Sequence, residues 1–214
     1  LVVLGLGFGA VYLPQIAGSG QEGMIAIGVA LGILALIMLI GFQIVNPNKA
    51  VVMTLFGTYK GTVAKNGFYW VNPFMYRKSV SLRARNLEHP PIKVNDKLGN
   101  PVMIGAVVVW KVSDTYKASF EVDNYETFVQ IQSESAVREL AAKYPYDMFD
   151  DDEAEISLRD GGEEVNHELE AALQSRLQIA GIEIVESRIA HLAYASELAG
   201  AMLQRLPATA LVAA

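Results

Sequence analysis

NPNKAVVMTLFGTYKGTVAKNGFYWVNPF, residues 46–74, sets alternating apolar residues, two turn signals and a cluster of aromatics between two Asn-Pro pairs. Residues 50–56 read as a strand, Gly57-Thr58 as a turn, and residues 68–71 as a second strand entered through Asn66-Gly67. This β-rich segment directly follows MIAIGVALGILALIMLIGF, residues 24–42, an unbroken run of apolar residues and Gly. At a rise of about 1.5 Å per residue, about twenty residues cross a hydrocarbon core of about 30 Å. The run therefore predicts a transmembrane helix over residues 24–45. It is too long for the apolar core of a secretory signal, no basic residue precedes it, and no small-residue cleavage site follows.

The first 45 residues hold one charged side chain, Glu22, although charged residues make up 19% of the chain and apolar ones 52%. The remainder thus has an ordinary domain composition. A net charge of −6 argues against the basic face of a nucleic-acid binder. The absence of Cys excludes disulfides, Cys-based metal sites and thiol catalysis. Residues 1–13, LVVLGLGFGAVYL, are apolar but too short to span alone. The chain opens on Leu1 rather than Met, so they are expected to be the second half of an earlier span. The turn PQIAGSGQEG would then join the two spans as a helical hairpin. GLGFGA matches a dinucleotide pattern on paper, but that fingerprint needs a strand, a soluble helix and an acidic residue further on. A different spacing is more physical: Gly5 and Gly9, like Gly28 and Gly32, are four apart, which lets membrane helices approach closely. Lys49, Lys60, Lys65, Arg77 and Lys78 all follow the second run, and the turn before it has no Lys or Arg. The positive-inside tendency puts this side in the cytoplasm.

Residues 78–83 alternate cleanly, and Ile92 and Val94 continue the habit. DKLGNP, residues 96–101, reads as a hairpin turn. Residues 102–112 form a long strand, with Val102, Ile104, Ala106, Val108 and Trp110 on one face and the apolar Met103, Val107 and Val109 on the other. Such a strand is expected to be covered on both sides at the centre of a sheet. The period then changes. Asp123 predicts an N-cap, and Tyr125, Phe128, Ile131 or Gln132, Ser135, Val137 and Leu140 follow helical spacing up to Pro145. A second helix over residues 162–180 carries Val165, Leu169, Leu173 and Leu177, and Gly181 closes it. Residues 182–192 give a last strand. From Ala195 an Ala-rich helix starts, with Leu198, Met202 and Leu206 on one side as an oligomerisation stripe. The fold class is α+β on a membrane anchor.

The chain offers no catalytic pattern. His89, His167 and His191 lack ligand spacing, and Ser133 and Ser135 fall on a helix rather than in a nucleophile elbow. DMFDDDEAEI, residues 147–156, lacks the Gly and the twelfth-place Glu of a calcium loop. No cofactor or metal is called for, and no enzyme is expected. The one asymmetry is aromatic: Phe68, Tyr69, Trp70, Phe74 and Tyr76 crowd together and run into Arg77 and Lys78. Tyr and Trp favour the headgroup level of a bilayer, with cations beside them. These seven residues are a candidate membrane interface; filling a small sheet core is the other reading.

In order along the chain, residues 46–74, VNDKLGNPVMIGAVVVWKVSD, VQIQSESAVRELAAKYPYD and LQIAGIEIVESRIAHLAYASELAGAMLQR resemble the SPFH family (Band 7; stomatin, prohibitin and flotillin), and bacterial stomatin-like membrane proteins most. The resemblance implies an anchor over residues 1–45, then a two-part domain. A membrane-proximal β part would cover residues 46–90 and an α/β part residues 91–193. A long helix would begin in residues 194–214. It implies a scaffold rather than an enzyme, in the bacterial inner (plasma) membrane. The expected partners are membrane lipids, copies of itself in a large ring or cage, and a membrane-bound AAA protease or other membrane proteins. The alternative it implies is a regulatory subunit controlling client access to such a protease. Pro207 departs from the family pattern: within a helix it costs about 3 kcal/mol and kinks it.

Overall fold

The computed structural model describes residues 21–147 and 156–196. They divide into two compact units, one ending at Ser81 and one beginning at Leu82.

The first unit opens with helix α1, Gln21–Ile40. The helix stops earlier than the predicted residue 45, because Gly41 turns and Phe42–Val45 forms a strand, β1. The β-branched pair Ile44-Val45 suits a pleated backbone better than a helix. That early stop shortens the apolar helical run to residues 24–40, about 26 Å at 1.5 Å per residue, against a core of about 30 Å. Among the described residues no helix is long and apolar enough to cross a membrane.

β1 pairs antiparallel with β4, Gly67–Trp70, as a two-stranded ribbon. β2 (Lys49–Leu55), β3 (Thr58–Val63) and β5 (Tyr76–Ser81) form a separate antiparallel sheet in the order β3-β2-β5. Two turns set the directions. At Asn46–Lys49 the Lys49 amide donates to the Asn46 carbonyl at 3.2 Å, with Pro47 second and Asn48 third at φ 57°. That is the residue choice of a type II turn, and it sends β2 back against β1. The hairpin turn between β2 and β3 is Phe56-Gly57, not the predicted Gly57-Thr58, since both carry positive φ, 49° and 83°. Such paired positive values match the right-handed twist of the flanking strands. Ala50, Val51, Val52, Val80 and Val45 make the small buried core.

The second unit is a three-stranded antiparallel sheet of β6 (Arg85–Asn95), β7 (Pro101–Val112) and β8 (Ile182–Tyr194), in the order β6-β7-β8. β7 is central, as its length and apolarity predict. Helix α2 is the short Thr115–Phe120, and α3 (Tyr125–Lys143) and α4 (Gly162–Leu177) follow. α3 and α4 pack on each other, α3 against β6 and α4 against β8. They bury Val102, Ile104, Ala106, Val108, Trp110 and Val112. The opposite face is covered less than predicted among the described residues: Met103, Val107 and Val109 are half-buried. On α4, Val165, Leu169, Leu173 and Leu177 are all buried, as spaced. On α3 the buried stripe is Val129, Ser133, Ala136, Val137, Leu140 and Ala141, while Ile131 is exposed. Of the predicted stripe, Val137 and Leu140 are buried, Tyr125 and Phe128 half-buried, and Ser135 exposed like Ile131; the small residues Ser133, Ala136 and Ala141 take the remaining buried places. The cap of α3 is Asn124, one residue later than predicted; its Oδ1 accepts from the Glu126 and Thr127 amides at 2.9 and 3.2 Å. Helix α2 went unpredicted; Asp114 caps it by accepting from Tyr116 and Lys117. After a turn of 3₁₀ helix at Gln178–Ala180, Gly181 adopts φ 65°, the left-handed closure expected of it.

Candidate membrane interface

The ribbon of β1 and β4 has two unlike faces. Its register pairs Phe42 with Trp70 and Ile44 with Phe68, so these four side chains share one face. All four are exposed, Ile44 by 65% and Phe68 by 67%, and the Phe42 and Phe68 rings stack at 5.0 Å. The other face carries Gln43, Val45 and Tyr69, half-buried or buried against the unit. Alternation along a strand thus gathers the apolar side chains on the face left exposed among the described residues.

A hydrogen-bonded joint fixes the ribbon to the end of α1. The last carbonyls of a helix lack partners inside it. Here the Trp70 indole N–H donates to the Met38 carbonyl at 3.0 Å, and Arg77 Nη2 donates to the Ile40 carbonyl at 3.1 Å. The Val71 amide donates to the Gly41 carbonyl at 2.8 Å. Arg77 Nη1 also reaches Gln43 Oε1 at 3.5 Å. A cation at a helix C-terminus is favourable in itself, because the backbone dipoles sum to partial negative charge there. Gly41 leaves room for this joint: a Cβ would lie 2.5 Å from Trp70 Nε1 and 2.7 Å from the Val71 carbonyl oxygen.

The seven sequence-predicted interface residues therefore do three different things. Phe68 and Trp70 line the apolar face, and Phe74 and Tyr76 are strongly exposed beyond it. Trp70 and Arg77 also hold the helix. Tyr69 lies on the inner face, and Lys78 is half-buried in β5 opposite Val52. Two residues of the apolar face, Phe42 and Ile44, were missed because sequence reading assigned them to the helix. Of the predicted helix-packing glycines, Gly28 is buried and Gly32 half-buried, while Gly5 and Gly9 lie outside the described residues. Leu198, Met202 and Leu206 lie outside them too.

The described residues of the second unit gather no comparable site. Among the described residues no three His, Cys, Asp or Glu side chains could hold a metal ion. His89 is buried, with Nδ1 at 2.9 Å from the Pro90 carbonyl oxygen, and His167 and His191 are exposed on α4 and β8. The clefts along α4 and β8 are open to solvent. The buried carboxylates are structural: Asp96 accepts from the Leu98, Asn100 and Tyr146 amides and closes the β6–β7 turn. Lys143 and Tyr144 at the end of α3 donate to Glu168 on α4. Those hydrogen bonds, Lys143 first, hold the Glu168 carboxyl below its usual range. The same partner raises Lys143 and Tyr144 above theirs.

No curated protein matches the chain. One family model does, over residues 43–211, from within β1 to beyond β8. That is well over half of the 214 residues and includes the ribbon, both sheets and the helices over the second sheet. The chain belongs to the SPFH domain / Band 7 family.

Proposed function

We propose that this protein is a membrane-anchored scaffold that assembles into a homo-oligomeric ring or cage around a patch of bilayer. The observation that carries this reading is the exposed face of Phe42, Ile44, Phe68 and Trp70 at the foot of α1. Large apolar surfaces left open on a protein mark contacts with lipid or protein. Lipid is favoured here because the face continues an apolar helix whose last residues, Leu36, Leu39 and Ile40, are exposed as well. Each of the four side chains would gain up to about 2–3 kcal/mol on leaving water. Membership in a family of membrane-associated proteins supports the same reading. α1, tilted little and extended by the ribbon at the interface, would serve as the span; a shortfall of a few Å is met by local thinning of the bilayer. The domain would face the cytoplasm and act by position rather than by chemistry. Copies held at one height in a plane meet edge to edge, and weak contacts repeated around a closed ring add up.

The test is extraction. The full-length protein should sediment with membranes after lysis without surfactant, resist high salt, and emerge in gentle detergent as a particle of many identical subunits under electron microscopy. A dissolved monomer would refute the scaffold. An ATP-dependent protease present in constant ratio to the particle would instead favour the regulatory-subunit alternative.

A further inference from the structure

The β2–β3 hairpin ends in a residue that breaks two local rules at once. Phe56 has φ 49°, a left-handed backbone that a Cβ disfavours and that paired-positive hairpin turns usually give to Asn or Gly. It is also 89% exposed, the most exposed large apolar side chain among the described residues. Nothing among the described residues of its unit repays either cost.

Its place supplies a reason. The turn at Asn46–Lys49 sends β2 back toward the end of the unit from which α1 departs. Thr54, two residues before Phe56, lies opposite Tyr76, itself 70% exposed. Met53 lies opposite Arg77, whose guanidinium reaches the last carbonyl of α1. The hairpin tip thus lies past the Tyr76 end of the sheet, the end tied through Arg77 to the last turn of α1. Just past the tip, the β2–β3 register skips Lys60, which bulges out and is exposed. An aromatic tip followed by a free-standing cation suits the boundary between acyl chains and anionic headgroups.

We infer that Phe56 inserts into the headgroup–acyl boundary of a phospholipid bilayer and forms a second attachment point, off the axis of α1. The inference rests on the reading of the ribbon face as membrane-facing. One helix alone leaves a domain free to swivel about its axis; a second contact, set to the side, fixes which edge each copy turns to its neighbour.

The chain has no Cys, so Phe56→Cys and Ile44→Cys each create a single labelling site. The full chain would be reconstituted in vesicles of phosphatidylcholine and phosphatidylglycerol and labelled with an environment-sensitive fluorophore. Quenching by doxyl groups on the acyl chains then reads lipid contact. Quenching at both positions is the expected result. Quenching at residue 44 but not at 56 overturns the hairpin insertion and leaves the ribbon reading standing. Quenching at neither overturns both. A fluorophore at 56 that is shielded from aqueous iodide but not reached by doxyl lipid means that another copy covers the tip, and this too overturns the inference. Because the label is itself apolar, Phe56→Asn is the second measurement, read by a fluorophore on Tyr76→Cys. Asn suits the left-handed backbone better than Phe, so the hairpin keeps its fold while the ring is lost. The lipid-inserted fraction should fall by about tenfold or more; an unchanged fraction overturns the inference.

Discussion

Gly41→Ala tests the joint between α1 and the ribbon. The added Cβ would meet the Trp70 indole at 2.5 and 2.9 Å and the Val71 carbonyl oxygen at 2.7 Å, all closer than real Cβ contacts. The indole can swing away, but only by giving up its bond to Met38. The Val71 oxygen is backbone and is pinned through its own amide to Gly41. Overpacking of this kind costs about 1–3 kcal/mol, and a lost hydrogen bond adds about 0.5–1.5 kcal/mol. Against this, replacing Gly by Ala gains about 0.4–1 kcal/mol through the unfolded chain, since the φ of Gly41 is not in the left-handed region. The clash wins, with a net cost of about 0.5–4 kcal/mol. This is below the about 5–15 kcal/mol that holds a domain folded, so the joint opens locally while the sheets stay formed. Hydrogen exchange at the Val71 amide reads that opening. With tenfold for each 1.4 kcal/mol, exchange should quicken by about 2-fold to 700-fold, while the central amides of β7 keep their protection. Gly23→Ala, where a Cβ meets nothing within 4 Å, should leave Val71 unchanged. Unaltered protection of Val71 in Gly41→Ala would refute the joint as a close-packed, hydrogen-bonded contact.

Three further substitutions probe the second unit. Leu169→Ala empties a fully buried site between α4 and β8 and should cost about 2–5 kcal/mol, seen as a lower midpoint in urea. Gly181→Ala places a Cβ at φ 65° and 2.4 Å from the Asp114 carbonyl oxygen; it should cost at least about 1–2 kcal/mol and disturb α2 first, which exchange at the Ala118 amide reports. Glu168→Gln should cost about 0.5–1 kcal/mol at neutral pH, because its partner Lys143 is well exposed. The sign with pH follows from the lowered carboxyl: the ionised form is the bound one, so its contribution is complete above the usual value of 4.5 and is lost as pH falls through the lower folded value. The stabilities of wild type and Glu168→Gln should therefore draw together as pH falls from 4.5 through the lowered folded value; a gap that does not narrow on acidification would assign the cost to something other than the charge.

What could be read in the sequence, and what could not, divides along physical lines. The long buried strand β7, the leucine stripe of α4 and the closing Gly181 are encoded by periodicity and by one residue's conformational freedom, both local properties. The end of α1 was misplaced because Phe42, Ile44 and Val45 are each as apolar as the run before them. Only pairing with Gly67–Trp70 pulls them out of the helix, and pairing partners cannot be read from one strand alone. The same gap hid half of the apolar face. Phe68 and Trp70 were visible as aromatics, but that Phe42 and Ile44 stand beside them follows from register. Phe56 was read as strand because its type is a strand former; its positive φ is forced by the two-residue turn, which uses Gly57 as the second position instead of the first. On α3 the sequence signal was weak for a different reason: Ser133, Ala136 and Ala141 are small rather than strongly apolar, so the buried stripe leaves little trace in hydropathy.

The joint and the apolar face together explain why one short segment is so rich in aromatics and cations. A helix ending at the edge of a hydrocarbon layer leaves its last carbonyls where water is scarce, and each unsatisfied group there costs several kcal/mol. Water can serve such groups in a soluble domain; at a bilayer boundary the protein has to bring its own donors. The Trp70 indole, the Arg77 guanidinium and the Val71 amide are three such donors, aimed at Met38, Ile40 and Gly41. Trp and Arg suit the task because each sets an N–H on a large apolar or amphipathic body, which can stay at the boundary while its polar tip bonds inward. A Phe at position 70 would keep the face and lose the donor, and a Lys at 77 would keep the charge and lose the fork that reaches both Ile40 and Gln43. The direction of α1 is then set by the ribbon rather than by the helix alone. On the reading proposed above, a ribbon lying on the membrane would hold its own anchor at a fixed angle, which is the geometric condition for identical copies to meet the same way around a ring.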